Sequence, residues 1–100
     1  MQGLFLIYLF FTFLPFIIVY MLQTGKYRHY KGLDYDVIGL AHDTETRSPL
    51  VLYKPLYRVP DLEKQYDNNV IFARPLEMFN ESVMVNGKAV KRFQLITDQP

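Results

Sequence analysis

Three stretches of this chain hold residues whose type and spacing could do chemistry. In Ala73-Arg74-Pro75-Leu76-Glu77-Met78-Phe79 a permanent cation follows the short apolar run Val70-Ile71-Phe72 and stands beside a proline, which fixes its own φ and lacks the N–H that ladder pairing needs. A guanidinium on such a corner either ties the fold through a salt bridge to Glu45, Glu77 or Glu81, or presents donors to a phosphate, a carboxylate or a peptide backbone. Lys26-Tyr27-Arg28-His29-Tyr30-Lys31 interleaves cations with aromatic rings, the composition that stacks on bases and neutralises phosphates. The same pattern suits a first strand whose tyrosines pack inward while Lys26, Arg28 and Lys31 reach into water or onto lipid headgroups. His42-Asp43-Thr44-Glu45-Thr46-Arg47-Ser48 gathers a histidine, two carboxylates and three hydroxyls, yet Asp and Thr in a run like this also cap the amides of a tight turn.

None of these stretches assembles a catalyst. Ser48 and Ser82 stand in no elbow or triad context, so no catalytic residue is assigned and a small hydrolase-type enzyme is the weakest reading. His29 and His42 lack a paired ligand spacing, and without cysteine there is neither a thiolate nor a Cys-based zinc site, so no metal is assigned. No glycine-rich phosphate loop exists and no cofactor is implied. Glu77 and Glu81 form a carboxylate pair only if the corner is helical. A net charge of +1 provides no global field for nucleic acid, so a basic patch must arise from the local cluster of Lys26, Arg28 and Lys31.

The elements that must position these groups read as short strands. Asp34 to Ala41 alternates, with Tyr35, Val37 and Gly39 on one face and Asp36, Ile38 and Leu40 on the other, and Gly39 marks a bulge or sharp bend. Leu50 to Tyr57 is rich in β-formers and ends near Pro55. Arg58 to Asn69 is polar and too long for a hairpin turn, so it is expected as a protruding loop. Glu81 to Val85 meets Asn86-Gly87, a strong hairpin signal, and Lys88 to Ile96 returns as one strand.

The amino terminus is different in kind. Every Lys, Arg, Asp and Glu lies from Lys26 onward, and Leu4 to Leu22 is apolar except for Thr12. Such a run approaches the ~20 residues that span a bilayer as a helix, and it lacks the basic start and small-residue cleavage site of a secretory signal. Residues 1–23 are therefore expected to be a transmembrane anchor and 24–100 the folded domain. Lys26, Arg28 and Lys31 just after the run place that domain in the cytoplasm of a single-pass membrane protein.

Arg28-His29-Tyr30-Lys31-Gly32, Tyr35-x-Val37-x-Gly39-x-Ala41, Thr44-Glu45-Thr46, Leu56-Tyr57, Ala73 to Phe79 and Arg92-Phe93 together resemble the bacterial DUF1653 family in order and spacing, over about 27–93. That resemblance implies a small, mostly antiparallel, SH3-like β-barrel and carries no established activity. Asp43 stands where the family tends to place a histidine before the Glu-Thr pair, and the loop from Arg58 to Asn69 is longer than the family's short turn.

The expectation is thus a mostly β protein: a small SH3-like barrel behind one apolar helix, attached to the membrane and acting as a binding module for a protein, a peptide or an anionic ligand. Arg74 is the anion-seeking group, with Tyr30, Tyr57 and Phe79 as aromatic walls and His29 and Glu45 as polar contributors. The alternative is a nucleic-acid-binding accessory domain that uses Lys26, Arg28 and Lys31.

Overall fold

Within the residues that the computed structural model describes, 22–66 and 69–96, the first hairpin follows from side-chain alternation. Strand β1 (Gly25–His29) buries Tyr27 and leaves Lys26 and Arg28 exposed, and β2 (Asp34–His42) buries Tyr35 and Val37 on either side of exposed Asp36. Gly32 turns between them at a φ of +105°, a conformation that side chains with a Cβ avoid. Strand β3 (Pro49–Pro55) faces Val51 and Tyr53 inward. Strand β4 (Phe72–Pro75) sets Phe72 opposite Tyr53 and Arg74 opposite Val51, and β7 (Phe93–Leu95) pairs with the other side of β1. The result is an antiparallel sheet in the order β4-β3-β2-β1-β7, beside a separate hairpin of β5 (Ser82–Val85) and β6 (Lys88–Lys91). That hairpin turns through Asn86 and Gly87, both at positive φ (51° and 80°), as the Asn-Gly dipeptide predicts.

Strand β2 contains the bend expected near Gly39, and the bend reverses the alternation. Val37 pairs with Tyr53 and Gly39 with Leu52, which leaves Ile38 as the extra residue of a β-bulge. Beyond it Leu40 lies opposite buried Val51 and packs against the core. Leu40 therefore faces inward rather than outward, because a one-residue insertion changes the face of every residue after it.

Two short helices lie where the sequence suggested irregular chain. Helix α1 (Pro60–Tyr66) begins with proline and carries Asp61 and Glu63 early and Lys64 late, an arrangement that favours a helix start and end. Glu63 accepts from the Val59 N–H at 2.8 Å and from Arg58 at 2.6 Å. Helix α2 (Leu76–Phe79) is a single turn that buries Leu76 and Phe79. The stretch from Lys88 to Ile96, expected as one strand, breaks at Arg92: β6 serves the hairpin and β7 the main sheet.

The mostly β expectation stands, but two parts of the fold expectation are corrected. The main sheet is open, not a closed barrel. Its edge strands have four and three residues, and β4 ends on Pro75, which offers no N–H to a further ladder. Side chains bridge the gap instead, with Arg74 of β4 over the Phe93 ring of β7 at 5.6 Å. The transmembrane helix expected over 1–23, with the single-pass membrane localisation and cytoplasmic placement built on it, is also corrected. No helix among the described residues is long and apolar enough to cross a membrane, and 1–21 lie outside them. Leu22 and Gln23 belong to the domain: Leu22 packs on the core, and the Tyr27 hydroxyl donates to the Gln23 carbonyl at 2.6 Å.

The core is aromatic. Phe79 and Phe93 stack at 4.3 Å and 8°, Tyr27 meets Phe79 edge-on at 5.3 Å, and Tyr35 and Tyr53 meet Phe93 at 5.7 and 5.4 Å. Such contacts add roughly 0.5–1.5 kcal/mol each beyond area burial, which matters in a domain small enough for its core to be thin. Phe79→Ala is expected to cost about 3–5 kcal/mol in urea unfolding. Met84→Ala, at a position 69% exposed, is expected to change stability by less than about 0.5 kcal/mol.

Candidate functional site

Arg74 owes its position to register. Standing opposite Val51 on β3, it projects onto the inner face of the sheet, although it is charged and the residue opposite is fully buried. Its Nε donates to the Tyr53 hydroxyl at 3.1 Å and its guanidinium lies over Phe93, so the hydrogen bond and the cation–π contact hold the fork by two supports. The expected ties to Glu45, Glu77 or Glu81 do not form: among the described residues Arg74 makes no ion pair, and Glu81 pairs with Arg92 at 2.9 Å. The guanidinium instead borders an open cleft of about 480 Å³ walled by Tyr35, Tyr53, Phe72 and Met78.

A row of hydroxyls backs this cleft. The Tyr35 and Tyr57 hydroxyls are 2.7 Å apart. Burial, reinforced by that hydrogen bond, pushes the Tyr35 hydroxyl well above its ordinary range, so it stays protonated as a donor or acceptor. Tyr57 therefore acts through Tyr35 and does not line the cleft itself. Phe79 is 2% exposed and belongs to the core, where it supports Phe93 from below rather than forming a ligand wall.

His29 and Tyr30 border a second cleft of about 440 Å³, between the β1–β7 side of the sheet and the β5–β6 hairpin. The His29 ring lies 4.6 Å from Tyr30 and 4.9 Å from Phe93, and its Nδ1 accepts the Lys31 backbone N–H at 3.2 Å. In the neutral ring the proton then resides on Nε2. Phe93 thus has Arg74 on one cleft and His29 on the other. Glu45 joins neither: it lies in the β2–β3 turn, where the Asp43 carboxylate accepts its N–H at 2.8 Å and that of Thr46 at 3.0 Å. Those two backbone bonds hold the Asp43 carboxyl below its ordinary value, so the polar run around His42 is a self-capped turn.

The cluster Lys26, Arg28 and Lys31 does not form a single bare patch. Arg28 grips Asp34 through two bonds of 2.8 and 3.1 Å, and Lys26 stands 3.9 Å from the same carboxylate. The Arg28 hydrogen bond holds the Asp34 carboxyl below its ordinary value, with a smaller pull from Lys26. Lys31 alone of the three makes no ion pair among the described residues. Neither histidine hydrogen-bonds to a serine among those residues, and no three metal-ligating side chains converge there.

Arg92 is a positioning residue that the sequence reading quoted only as part of a motif. Its Nε donates to the Met78 carbonyl at 3.1 Å and its Nη2 to Glu81 at 2.9 Å, while its backbone N–H donates to the Glu81 carbonyl at 2.9 Å. A cation at the end of α2 adds a second donor to a carbonyl that also accepts the Glu81 N–H at 3.3 Å and fastens the Arg74-bearing corner to the β6–β7 junction. The signal was faint, since an arginine before an aromatic residue has no distinguishing spacing.

A family model described as a protein of unknown function, DUF1653, matches residues 25–95. A crystal structure of a DUF1653 protein from Bordetella bronchiseptica is 32% identical, aligns with a TM-score of 0.62, and covers 76% of this chain and 88% of that one. No curated protein matches the sequence.

Burial first, then the charges of Arg74, Arg92 and Lys31, push the His29 imidazole below its ordinary value of 6.5. The folded state therefore binds the His29 proton less readily than the unfolded chain does. The resulting stability is fully present above pH about 6.5 and declines as pH falls below it, until the folded ring is itself protonated. Thermal unfolding midpoints are expected to fall between pH 7.5 and 5.5, and His29→Gln is expected to flatten that slope.

Proposed function

The chain belongs to the DUF1653 family, and on that premise we propose that its β-rich domain is a binding module in which Arg74 receives a carboxylate of an extended acidic peptide. One observation carries the reading: a guanidinium fixed on the inner face of the sheet by Tyr53 and Phe93, open to a cleft and without a carboxylate partner among the described residues. An arginine with its Nε occupied keeps its two terminal nitrogens as a fork, and a carboxylate matches that fork with two parallel bonds. Because the support is built before a ligand arrives, little side-chain freedom is lost on binding.

The surroundings favour a carboxylate on a peptide over a phosphate. Arg74 is the sole cation among the described residues that border the cleft, and Phe72, Met78 and Tyr53 make the rest of the wall mostly apolar. One positive charge balances a carboxylate but not a dianionic phosphate group, and the apolar wall suits an aliphatic or aromatic side chain next to the acidic residue.

The test is a titration of the full-length protein with hexapeptides carrying one Glu flanked by Leu or Phe, followed by fluorescence anisotropy. Replacing the peptide Glu by Gln is expected to weaken binding about 10- to 150-fold, the range for a bond to a charged group, and Arg74→Gln is expected to do the same. Arg74→Lys retains the charge without the fork and is expected to fall between. Equal binding of Glu and Gln peptides, or affinity unchanged in a folded Arg74→Gln variant, removes the proposal.

A further inference from the structure

The second cleft differs in chemistry from the first. It is bordered by Arg28, His29, Tyr30, Val90, Lys91 and Gln94, and among the described residues neither an Asp nor a Glu lines it. Arg28 is already engaged by Asp34. Lys91 makes no ion pair among the described residues, nor does Lys31, whose Nζ stands 5.8 Å from the Tyr30 ring. Tyr30 is 40% exposed, and its backbone is fixed by donation to the Arg92 carbonyl at 2.9 Å. His29 lies against one face of its ring, with centroids 4.6 Å apart and planes tilted by 35°. Gln94 stands opposite Arg28 in the ladder and offers both a donor and an acceptor.

We propose that this cleft binds a nucleotide unit, its base stacked on Tyr30 and edge-bonded by Gln94, its phosphate met by Lys31 and Lys91. Aromatic planes with flanking cations are how proteins hold unpaired bases without strong sequence preference, and an amide side chain, with a donor and an acceptor, can match a base edge. A cleft of about 440 Å³ is within the size range of small-molecule sites. The site is separate from the Arg74 cleft, since no described residue borders both. Compared with the sequence-level patch, Lys91 from the hairpin takes the place of Lys26, whose charge is directed to Asp34. A free nucleotide and one unit of a single strand present the same chemistry.

The experiment is fluorescence anisotropy of the full-length protein with a labelled uridine decamer at low salt, with adenosine monophosphate and inorganic phosphate as competitors. The decamer is expected to bind with a slope of log affinity against log salt of about −0.7, the value for one neutralised phosphate of a single strand, here shared by two lysines. Lys91→Gln is expected to reduce that slope by about half. Tyr30→Ala is expected to weaken binding about 5- to 150-fold, the range for loss of one stacked base, with Tyr30→Trp restoring it and Arg74→Gln leaving it unchanged. Displacement by adenosine monophosphate assigns the site to free nucleotides; displacement by oligonucleotide alone assigns it to strands, and either outcome supports the proposal. No binding at low salt, inorganic phosphate competing as well as the nucleotide, or an affinity unmoved by Tyr30→Ala overturns it. Dependence on Arg74 and not on Tyr30 also overturns it, by moving the ligand to the other cleft.

Discussion

The stack of Phe79 on Phe93, 4.3 Å apart and nearly parallel, is the contact on which the rest of the structure depends. Phe79 comes from α2, after the β4 edge, and Phe93 from β7, the opposite edge. With no ladder joining those edges, the stack is what brings them together. Dispersion and ring geometry thus do here what hydrogen bonds do in a closed barrel. Tyr27, Tyr35 and Tyr53 then converge on the same two rings. Arg74 and His29 each lie against Phe93, one on each cleft, so the two candidate sites share a supporting wall although no described residue lines both.

How much of this the residues disclosed depends on the kind of interaction. Period-two alternation located β1 to β3 and the Asn86-Gly87 turn, because alternation and positive φ are properties of the local chain. Inward-facing Arg74 was marked as special by its proline neighbour, but its partners were not legible. Of the carboxylates nearest in type, Glu45 and Glu77 are exposed and Glu81 pairs with Arg92, while the actual partners are a tyrosine hydroxyl and a phenyl ring. Leu40 was placed on the wrong face because a bulge is a tertiary adjustment between strands, invisible to a count of every second residue.

Charge misled in a similar way. Lys26 and Arg28 looked like part of a basic surface, yet Asp34 crosses the hairpin to meet both; sequence proximity of cations says nothing about which carboxylates fold back onto them. The apolar amino terminus likewise read as a bilayer span on hydropathy and length. The chain at Leu22 and Gln23 instead packs on the domain, and no helix among the described residues is long and apolar enough to cross a membrane. Helix α1 had its signals, proline first and acids next, but seven residues give too little periodicity to be read as a helix.

An open sheet exposes unpaired backbone, and the chain limits what that exposure permits. The β4 edge is four residues long, ends on Pro75 and turns the charge of Arg74 inward; the β7 edge is three residues long. Short strands, proline and inward charge are the devices that keep sheet edges from templating one another. The same corner that turns the guanidinium onto the cleft thus deprives another copy of the chain of a continuous strand on which to polymerise, so the placement of that charge and resistance to fibre growth come from a single stretch of sequence.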